Sequence, residues 1–262
     1  HSKTIPFVVH VVFKNPEELL GLEQLFSQFL ASTEHFQQTP ITYNHPANER
    51  EGFLSRRPDS TYIDFCLGKR IVGRDTTFAV NFVQTSVDRW GTDDAIKSSA
   101  TGGSDPWNPD RFANLWIGHL ADSIAGYAQM PGGPEATDGI VIDYRYLGTE
   151  GTVRTPYNQG KTLTHLIGSY LGLYELWGKG YCTDDLVADT PVHNAPNFGC
   201  PGYKHVSTCF DNPVEMTMNF MDNTYDTCMY LFTKGQVQRM NKMLSPGGPR
   251  HSLTTGPFRC TT

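Results

Sequence analysis

The stretch 160–177 holds the residues whose types and spacing bear most directly on chemistry. Counting from His165, Ser169 lies four residues on, Gly172 seven on and Glu175 ten on. In a helix, side chains at i and i+4 share one face, so two histidines at that spacing can hold one zinc ion. A glycine then ends the helix, and a third ligand folds back from the turn. This spacing is typical of a zinc-hydrolase helix, in which a glutamate after the first histidine activates the metal-bound water.

Further segments along the chain fit a known family: 4–12, 97–107, 131–134, 136–145, 187–191, 218–222 and 232–236. On these segments, and on the spacing above, the chain resembles the pappalysin-type metzincin peptidases, especially their secreted bacterial branch. The resemblance runs over nearly the whole chain. It implies an α+β, metzincin-like fold. In that fold a twisted mixed sheet with backing helices forms an upper lobe, the lower lobe is irregular and disulfide-linked, and a turn containing Met221 lies beneath the metal.

The residues at the reactive positions depart from that family. Leu166 replaces the glutamate that acts as general base, and Ser169 and Glu175 replace the second and third histidines. Asn223 stands where the family has a tyrosine that steadies the oxyanion of the transition state. Leucine cannot accept or donate a proton, so the general base is lost. A serine hydroxyl is not ionised near neutral pH and is a poor zinc ligand, so metal binding is weakened. We therefore predict no catalytic residue and no zinc, with His165 as a vestigial zinc position and Gly172 and Met221 as structural residues.

Two other interpretations of this helix stay open. His165 and Glu175 could form a two-ligand metal site, although catalytic zinc sites use three protein ligands. Ser169 could be a nucleophile, but the surrounding sequence lacks the G-x-S-x-G turn that exposes such a serine. An active zinc metalloendopeptidase with atypical ligands is therefore the alternative to an inactive protein.

A different metal is predicted for the acidic stretch 182–191. Its carboxylates and threonines are the hard oxygen donors that Ca²⁺ prefers. We predict a calcium site with Asp185, Asp189 and Thr190 as ligands, against the alternative of an ordinary acidic turn.

The chain has six cysteines, and no pair of them has the C-x-x-C spacing of zinc ribbons or thioredoxin-like motifs. Disulfides are therefore favoured over free thiols, and they indicate an oxidising compartment. Counting alone leaves the pairing open. The family resemblance implies that Cys182 pairs with Cys209 and Cys200 with Cys228, which leaves Cys66 and Cys260 for a third bridge.

Several elements must position these residues. Runs of β-branched, aromatic or alternating apolar residues predict strands at 4–13, 61–67, 115–120 and 139–144. Helical spacing of apolar residues predicts helices at 16–36, with Asn15 as its cap, at 161–171 and at 235–244. The second helix is predicted to end at Gly172 in a left-handed conformation.

Length and composition set the wider frame. The 262 residues, of which 38% are hydrophobic, predict one metzincin-like domain over 1–262, with an upper lobe at about 1–172 and a lower lobe at about 173–262. Against 27 acidic residues there are 21 Lys and Arg, a net charge of −6, which disfavours a nucleic-acid partner. No run approaches the roughly 18 apolar residues of a membrane span.

The sequence therefore predicts a catalytically inactive pseudo-metallopeptidase that serves as a secreted or cell-surface binding or structural module. Its expected partner is a protein or peptide, within a secreted or cell-surface assembly. If the stretch 125–129 forms an edge strand, its unpaired backbone groups could accept an extended peptide.

Overall fold

The computed structural model describes residues 2–38, 52–256 and 260. The α-helices whose bounds lie within these ranges are α1 (Leu22–Gln37), α2 (Lys161–Tyr170) and α3 (Lys234–Met243). Its strands there are β1 (Lys3–Phe13), β2 (Ile63–Leu67), β3 (Lys69–Val72), β4 (Asp75–Phe78), β5 (Val80–Gln84), β6 (Ala113–Gly118), β7 (Gly126–Ala128) and β8 (Ile140–Asp143).

The main sheet is mixed and is built around β1. Strand order runs β2-β1-β6-β8-β7, and β5 pairs with the second half of β1. All pairings are parallel except that of β7, which runs antiparallel to β8 and forms one edge of the sheet. Parallel strands that are buried on both faces carry continuous apolar runs, which explains the dense β-branched sequence of β1.

The two faces of the sheet bury different side chains. The main core lies on the face covered by α1 and α2, where Ile5, Phe7, Leu115, Ile117 and the helix residues around Ile167 pack. The opposite face carries a smaller group that we call the rear cluster: Val12, Trp90, Ile96, Trp116, Leu120 and Val141, with Tyr127 packed against it.

The predicted strands and helices are present in the described residues, with differences at their ends. The largest difference concerns α1, which begins at Leu22 instead of residue 16. Pro16–Glu18 forms a separate 3-10 turn, and Leu19 after it is extended. Asn15 makes no capping bond to the helix; its side-chain amide donates to Glu18 Oε1 at 3.1 Å.

Three strands were not predicted: β3 and β4, which form a hairpin, and β5. Every residue of β4 is exposed, so the hairpin lacks the apolar alternation by which strands are recognised. The predicted fold class, an α+β metzincin-like arrangement with a twisted mixed sheet and backing helices, is confirmed. The residues after α2 form mostly turns, and α3 is the single α-helix described there.

The three disulfides pair as the family resemblance implies: Cys182–Cys209, Cys200–Cys228 and Cys66–Cys260. The first two lie within the irregular region. The third joins β2 to the end of the chain.

A buried ion pair also ties the end of the chain to the sheet and to α2. The guanidinium of Arg250 lies 3.4 Å from the centre of the Tyr170 ring and donates to both carboxylate oxygens of Asp138 at 2.6 and 2.8 Å. It also donates to the carbonyl oxygens of Tyr170 and Gln129, the residue after β7. We call this group the Arg250 clamp.

Candidate functional site: a cleft between helix α2 and edge strand β7

Helix α2 positions the residues of the motif stretch. Glycines in left-handed conformations bound it, Gly160 (φ 73°) before it and Gly172 (φ 91°) after it. The predicted left-handed glycine at the end of the helix is therefore confirmed. Between them, His165 and Ser169 lie one turn apart and share the face that borders the cleft.

The imidazole of His165 is held in a fixed orientation. Its Nδ1–H donates to the carbonyl oxygen of Asp222 at 3.1 Å. Its Nε2 lies 4.0 Å from Glu175 Oε1, on the turn that follows the helix. The structure thus brings together two of the sequence-predicted positions, His165 and Glu175.

Ser169 is 8% exposed, and the two ring nitrogens of His165 face other residues. One nitrogen faces Asp222 and the other faces Glu175. A serine nucleophile needs a base within hydrogen-bond reach, so this arrangement does not support Ser169 in that role.

Leu166 is 7% exposed and packs in the main core. Its Cδ1 lies 2.6 Å from where a Cβ on Gly126 would stand, so only glycine fits in β7 opposite it. An apolar side chain therefore fills the space between α2 and the edge strand, at the position where the family carries its general base.

The turn that contains Met221 lies beneath α2. Met221 is fully buried, and its Sδ lies 2.5 Å from where a Cβ on Gly168 would stand, so the glycine permits this close approach. Met221 thus packs against the helix, in keeping with its predicted structural role.

Asp222, the next residue, joins a buried polar network. Its carboxylate accepts from the backbone N–H groups of Asn197 and Asn223 at 2.9 and 2.8 Å. His193 Nδ1 lies 3.4 Å from Asp222 Oδ2, while its Nε2 accepts from the N–H of Met216. The network fixes the turn whose carbonyl orients His165.

Sequence reasoning missed a buried lysine at one end of the cleft. Lys161 Nζ donates to the carbonyl oxygens of Asp226 and Met229, and Asp226 Oδ2 accepts from the N–H of Gln159 at 2.7 Å. Burial lowers the pKa of Lys161 to about 8 and raises the pKa of Asp226. The signal that could have revealed it was spacing, since Lys161 lies four residues before His165 on the same helix.

Strand β7 forms the opposite wall, which confirms the expected edge strand. Behind it, Lys97 Nζ lies 5.1 Å from the centre of the Tyr127 ring and 5.5 Å from that of Trp116, and it donates to the carbonyl of Thr137 at 2.7 Å. Burial raises the pKa of Tyr127 above its usual range. The rear cluster therefore holds the edge strand from behind.

The cleft between these walls has a volume of about 700 Å³. Tyr170 is fully buried in the Arg250 clamp, and Tyr225 packs edge-to-face on Tyr157 at 5.7 Å, outside the lining. Neither tyrosine fills the cleft.

The stretch predicted to bind calcium makes protein contacts. Asp185 accepts from the Thr190 hydroxyl and from the N–H of Val187 at 2.8 and 3.0 Å. Asp189 turns away, toward the start of α3, where it accepts from the Thr233 hydroxyl and the N–H of Gly235. Burial raises the pKa of Asp185 to about 6. Calcium at this stretch stays a prediction.

The chain is similar to known proteins. A model of peptidase family M43, described as pregnancy-associated plasma protein-A, matches residues 97–245. Mature mirolysin from Tannerella forsythia, solved with a cleaved peptide, superposes with a TM-score of 0.89 at 35% identity, over 97% of this chain and 96% of that one.

Curated relatives give the same result. Extracellular metalloprotease 1 of Coccidioides posadasii is 32% identical over 227 residues, 79% of this chain and 78% of the relative. An extracellular metalloprotease of Arthroderma benhamiae is 37% identical over 130 residues, 48% of this chain and 47% of the relative. The match thus spans about half the length of the latter relative.

These findings bear on three expectations. The secreted or cell-surface location is confirmed by the disulfides and the extracellular relatives. No helix of the described ranges has both the length and the apolar character needed to cross a bilayer. The expectation that zinc is not a cofactor is wrong, because the family model and the matched relatives are those of metalloproteases, which work through a bound metal.

The side chains at the described motif positions differ from the zinc ligands of the family. Within residues 2–38, 52–256 and 260, no three His, Cys, Asp or Glu side chains converge in a way that could hold a metal ion. The motif positions offer one imidazole and one carboxylate, whereas catalytic zinc has three protein ligands. The absence of a catalytic role for Leu166, Ser169, Glu175 and Asn223 stays a prediction.

Proposed function

Because this chain belongs to the pappalysin family of metallopeptidases, we propose that it is a catalytically inactive member that binds extended peptide segments in the cleft. The observation that carries the proposal is Leu166, which is buried against Gly126 at the position of the general base. The proposal treats residues 1–262 as a single unit with two lobes.

The groups that border the cleft support inactivity. A leucine at 166 can take no proton from water, and loss of a general base alone typically slows such a reaction by 10²–10⁴-fold. The Nδ1 of His165 is engaged by the Asp222 carbonyl, so this imidazole cannot use that nitrogen as a base. Asn223 offers an amide in place of the family's phenol.

The binding function follows from the hydrogen bonds of β7. Ala125 accepts from the N–H of Asp143, and the N–H of Gln129 donates to Gly139, both at 2.9 Å. In an antiparallel pair, alternate residues bond to the partner strand. The backbone groups of Gly126 and Ala128 therefore face away from β8, at an edge where an extended peptide can add as a further strand.

The family setting supports a peptide as the ligand. Mirolysin, which superposes over nearly the whole chain, was solved with a cleaved peptide. We place the protein in a secreted or cell-surface assembly, where it holds a protein segment without cutting it.

A cleavage assay tests inactivity. The purified protein, with added Zn²⁺ and separately with a chelator, is incubated with unfolded protein substrates and fragments are counted by mass spectrometry. We expect none above the buffer control under either condition. Chelator-sensitive cleavage would overturn the proposal in favour of an active enzyme with atypical ligands.

A companion variant tests whether the scaffold is intact. Leu166→Glu restores the family's general base, and Ser169→His and Glu175→His restore the two missing histidine ligands, so for the triple variant we expect one zinc per chain by metal analysis. Peptide cleavage need not return, because Asn223 is unchanged.

A proline substitution tests strand addition. Ala128→Pro removes one outward-facing N–H but leaves the bonds to β8, a position at which proline is tolerated in edge strands. We expect peptide affinity to fall at least tenfold, measured by calorimetry, while the fold is retained. Ala128→Ser, which keeps the N–H, is the matched control and should bind normally; equal binding by both variants would argue against strand addition.

A further inference from the structure

We infer that the cleft selects extended segments that carry apolar side chains at every second position. This inference rests on the proposed binding function and names the class of ligand. Its basis is the alternation of β7 and the composition of the surface that an added strand would face.

Alternate residues of β7 face opposite sides of the sheet. A Cβ on Gly126 would meet Leu166 on α2, and Ala128 packs against the main core that contains Leu166. Tyr127 lies between them and packs on the rear cluster, beneath Lys97. A strand paired with β7 follows the same alternation, so every second side chain of a bound peptide would point toward α2.

The cleft has apolar and aromatic side chains in its lining besides Leu166, together with polar ones such as His165, Ser169 and Glu175. The apolar and aromatic residues include Met130, Tyr146, Tyr157, Leu173 and Met229. Tyr157 packs edge-to-face on Tyr146 at 5.8 Å, so these two rings form one aromatic part of the lining. Alternate pockets along an added strand set its sequence preference.

The charged groups at the end of this surface are already engaged by the chain itself. The ammonium of Lys161 donates to two backbone carbonyls, and the carboxylate of Asp226 accepts from two backbone N–H groups. A charged peptide side chain would have to lose its water here without a matched partner, which is costly. An apolar side chain gains from the same burial.

Glu175 is the main competitor for this assignment. Its side chain is 39% exposed and lies 4.0 Å from His165. If it dominated recognition, the cleft would prefer a basic side chain. The test below separates the two cases.

The experiment compares three fluorescent ten-residue peptides on the full chain by anisotropy. The first alternates valine or leucine with serine or threonine. The second has the same composition with the apolar residues in one block, and the third replaces the apolar residues of the first by arginine. We expect the first to bind at least tenfold more tightly than the others.

Variants place the preference at Leu166. Leu166→Glu should weaken the first peptide at least tenfold, while Leu166→Met, which keeps an apolar side chain of similar volume, should change it less than threefold. Ile71→Thr, on the exposed β3–β4 hairpin, is the distant control and should have no effect. The comparison of peptides on the unaltered chain stands even if Leu166→Glu fails to fold.

The outcomes are distinguishable. Equal binding of the three peptides, with sensitivity to Ala128→Pro, overturns the inference and leaves strand addition standing. Preference for the arginine peptide also overturns it. Failure of every peptide to bind overturns the proposed function and, with it, this inference.

Discussion

The two walls of the cleft differ in which features of a peptidase scaffold they retain. The edge-strand wall has a paired strand β7, a rear cluster with Lys97 behind it, and the Arg250 clamp at its end. The helix wall has the position of a catalytic helix, with both bounding glycines in place, but carries leucine and serine where acid–base and metal chemistry need ionisable groups. Under the proposed function, holding a peptide and cutting it are separable properties of one scaffold.

The comparison predicts that changes behind the edge strand and at the Arg250 clamp alter stability, whereas a change at Glu175 on the helix wall alters it little. The scaffold residues are buried and bonded to several elements. The side chain of Glu175 is 39% exposed and lies 4.0 Å from His165.

The largest effect is expected at the clamp. Arg250→Ala leaves the carboxylate of Asp138 without its ion-pair partner, and breaking one side of a buried pair costs about 3–5 kcal/mol. Urea unfolding followed by fluorescence measures it. Arg250→Lys cannot make the bidentate hydrogen bond to the carboxylate, so its free energy of unfolding should lie between those of the unaltered protein and Arg250→Ala. A loss below about 1 kcal/mol for the alanine variant would contradict the clamp.

The contact between α2 and the methionine turn should give the next effect. Gly168→Ala forces a methyl group toward Met221, and overpacking costs about 1–3 kcal/mol. Combining it with Met221→Ala should cost less than the sum of the single changes, because the clash is gone. Simple additivity in this double-mutant cycle would show that the two residues do not interact.

Acid should weaken the rear of the sheet. His10 stacks on Trp116 at 5.0 Å, and burial lowers its pKa from 6.5 to about 4. The stability that neutral His10 contributes is fully present above the pKa of this histidine in the unfolded chain. It is lost as pH falls from 6.5 toward 4, because the unfolded chain takes up the proton first.

Between pH 7.5 and 5.5 the expected loss from His10 is about 1.4 kcal/mol. His10→Gln should lack this component when unfolding is measured at both pH values. Asp185, with a pKa raised to about 6, acts in the opposite direction, but equally in both proteins. Identical pH dependence of the two proteins would refute the assignment.

The smallest effect is expected on the helix wall. Glu175→Gln keeps the shape of a half-exposed side chain and should change the free energy of unfolding by less than about 0.5 kcal/mol. A loss as large as that of Arg250→Ala would break the distinction between the two walls.

Much of the fold could be predicted, because strong periodic patterns dominate it. β1 is almost wholly apolar, α2 ends at a glycine, and the disulfide pairs follow from the family resemblance. The β3–β4 hairpin could not be predicted, since its residues face solvent and show no pattern. The start of α1 was misplaced because Leu19 and Leu20 continue its apolar spacing, although the Pro16–Glu18 turn before them is separate from the helix.

The positions that border the cleft could be predicted from the sequence, but the contacts of their side chains could not. The sequence alone indicated the positions 165, 166, 169 and 175. It gave no hint that Leu166 would meet Gly126, that Asp189 would turn to α3, or that Arg250 would reach Asp138 across 112 residues of chain. Such contacts depend on distant segments meeting in space, which local spacing does not encode.

The close approach of Leu166 to Gly126 has a consequence for any attempt to restore catalysis. A glutamate at 166 must leave the apolar space against β7 or place its charge beside the carbonyl oxygen of Val141. That oxygen lies 2.6 Å from where a Cβ on Gly126 would stand. Under the proposed inactivity, hydrolysis would therefore require a changed environment around residue 166 as well as new metal ligands, so more than the residues at the motif positions would have to change.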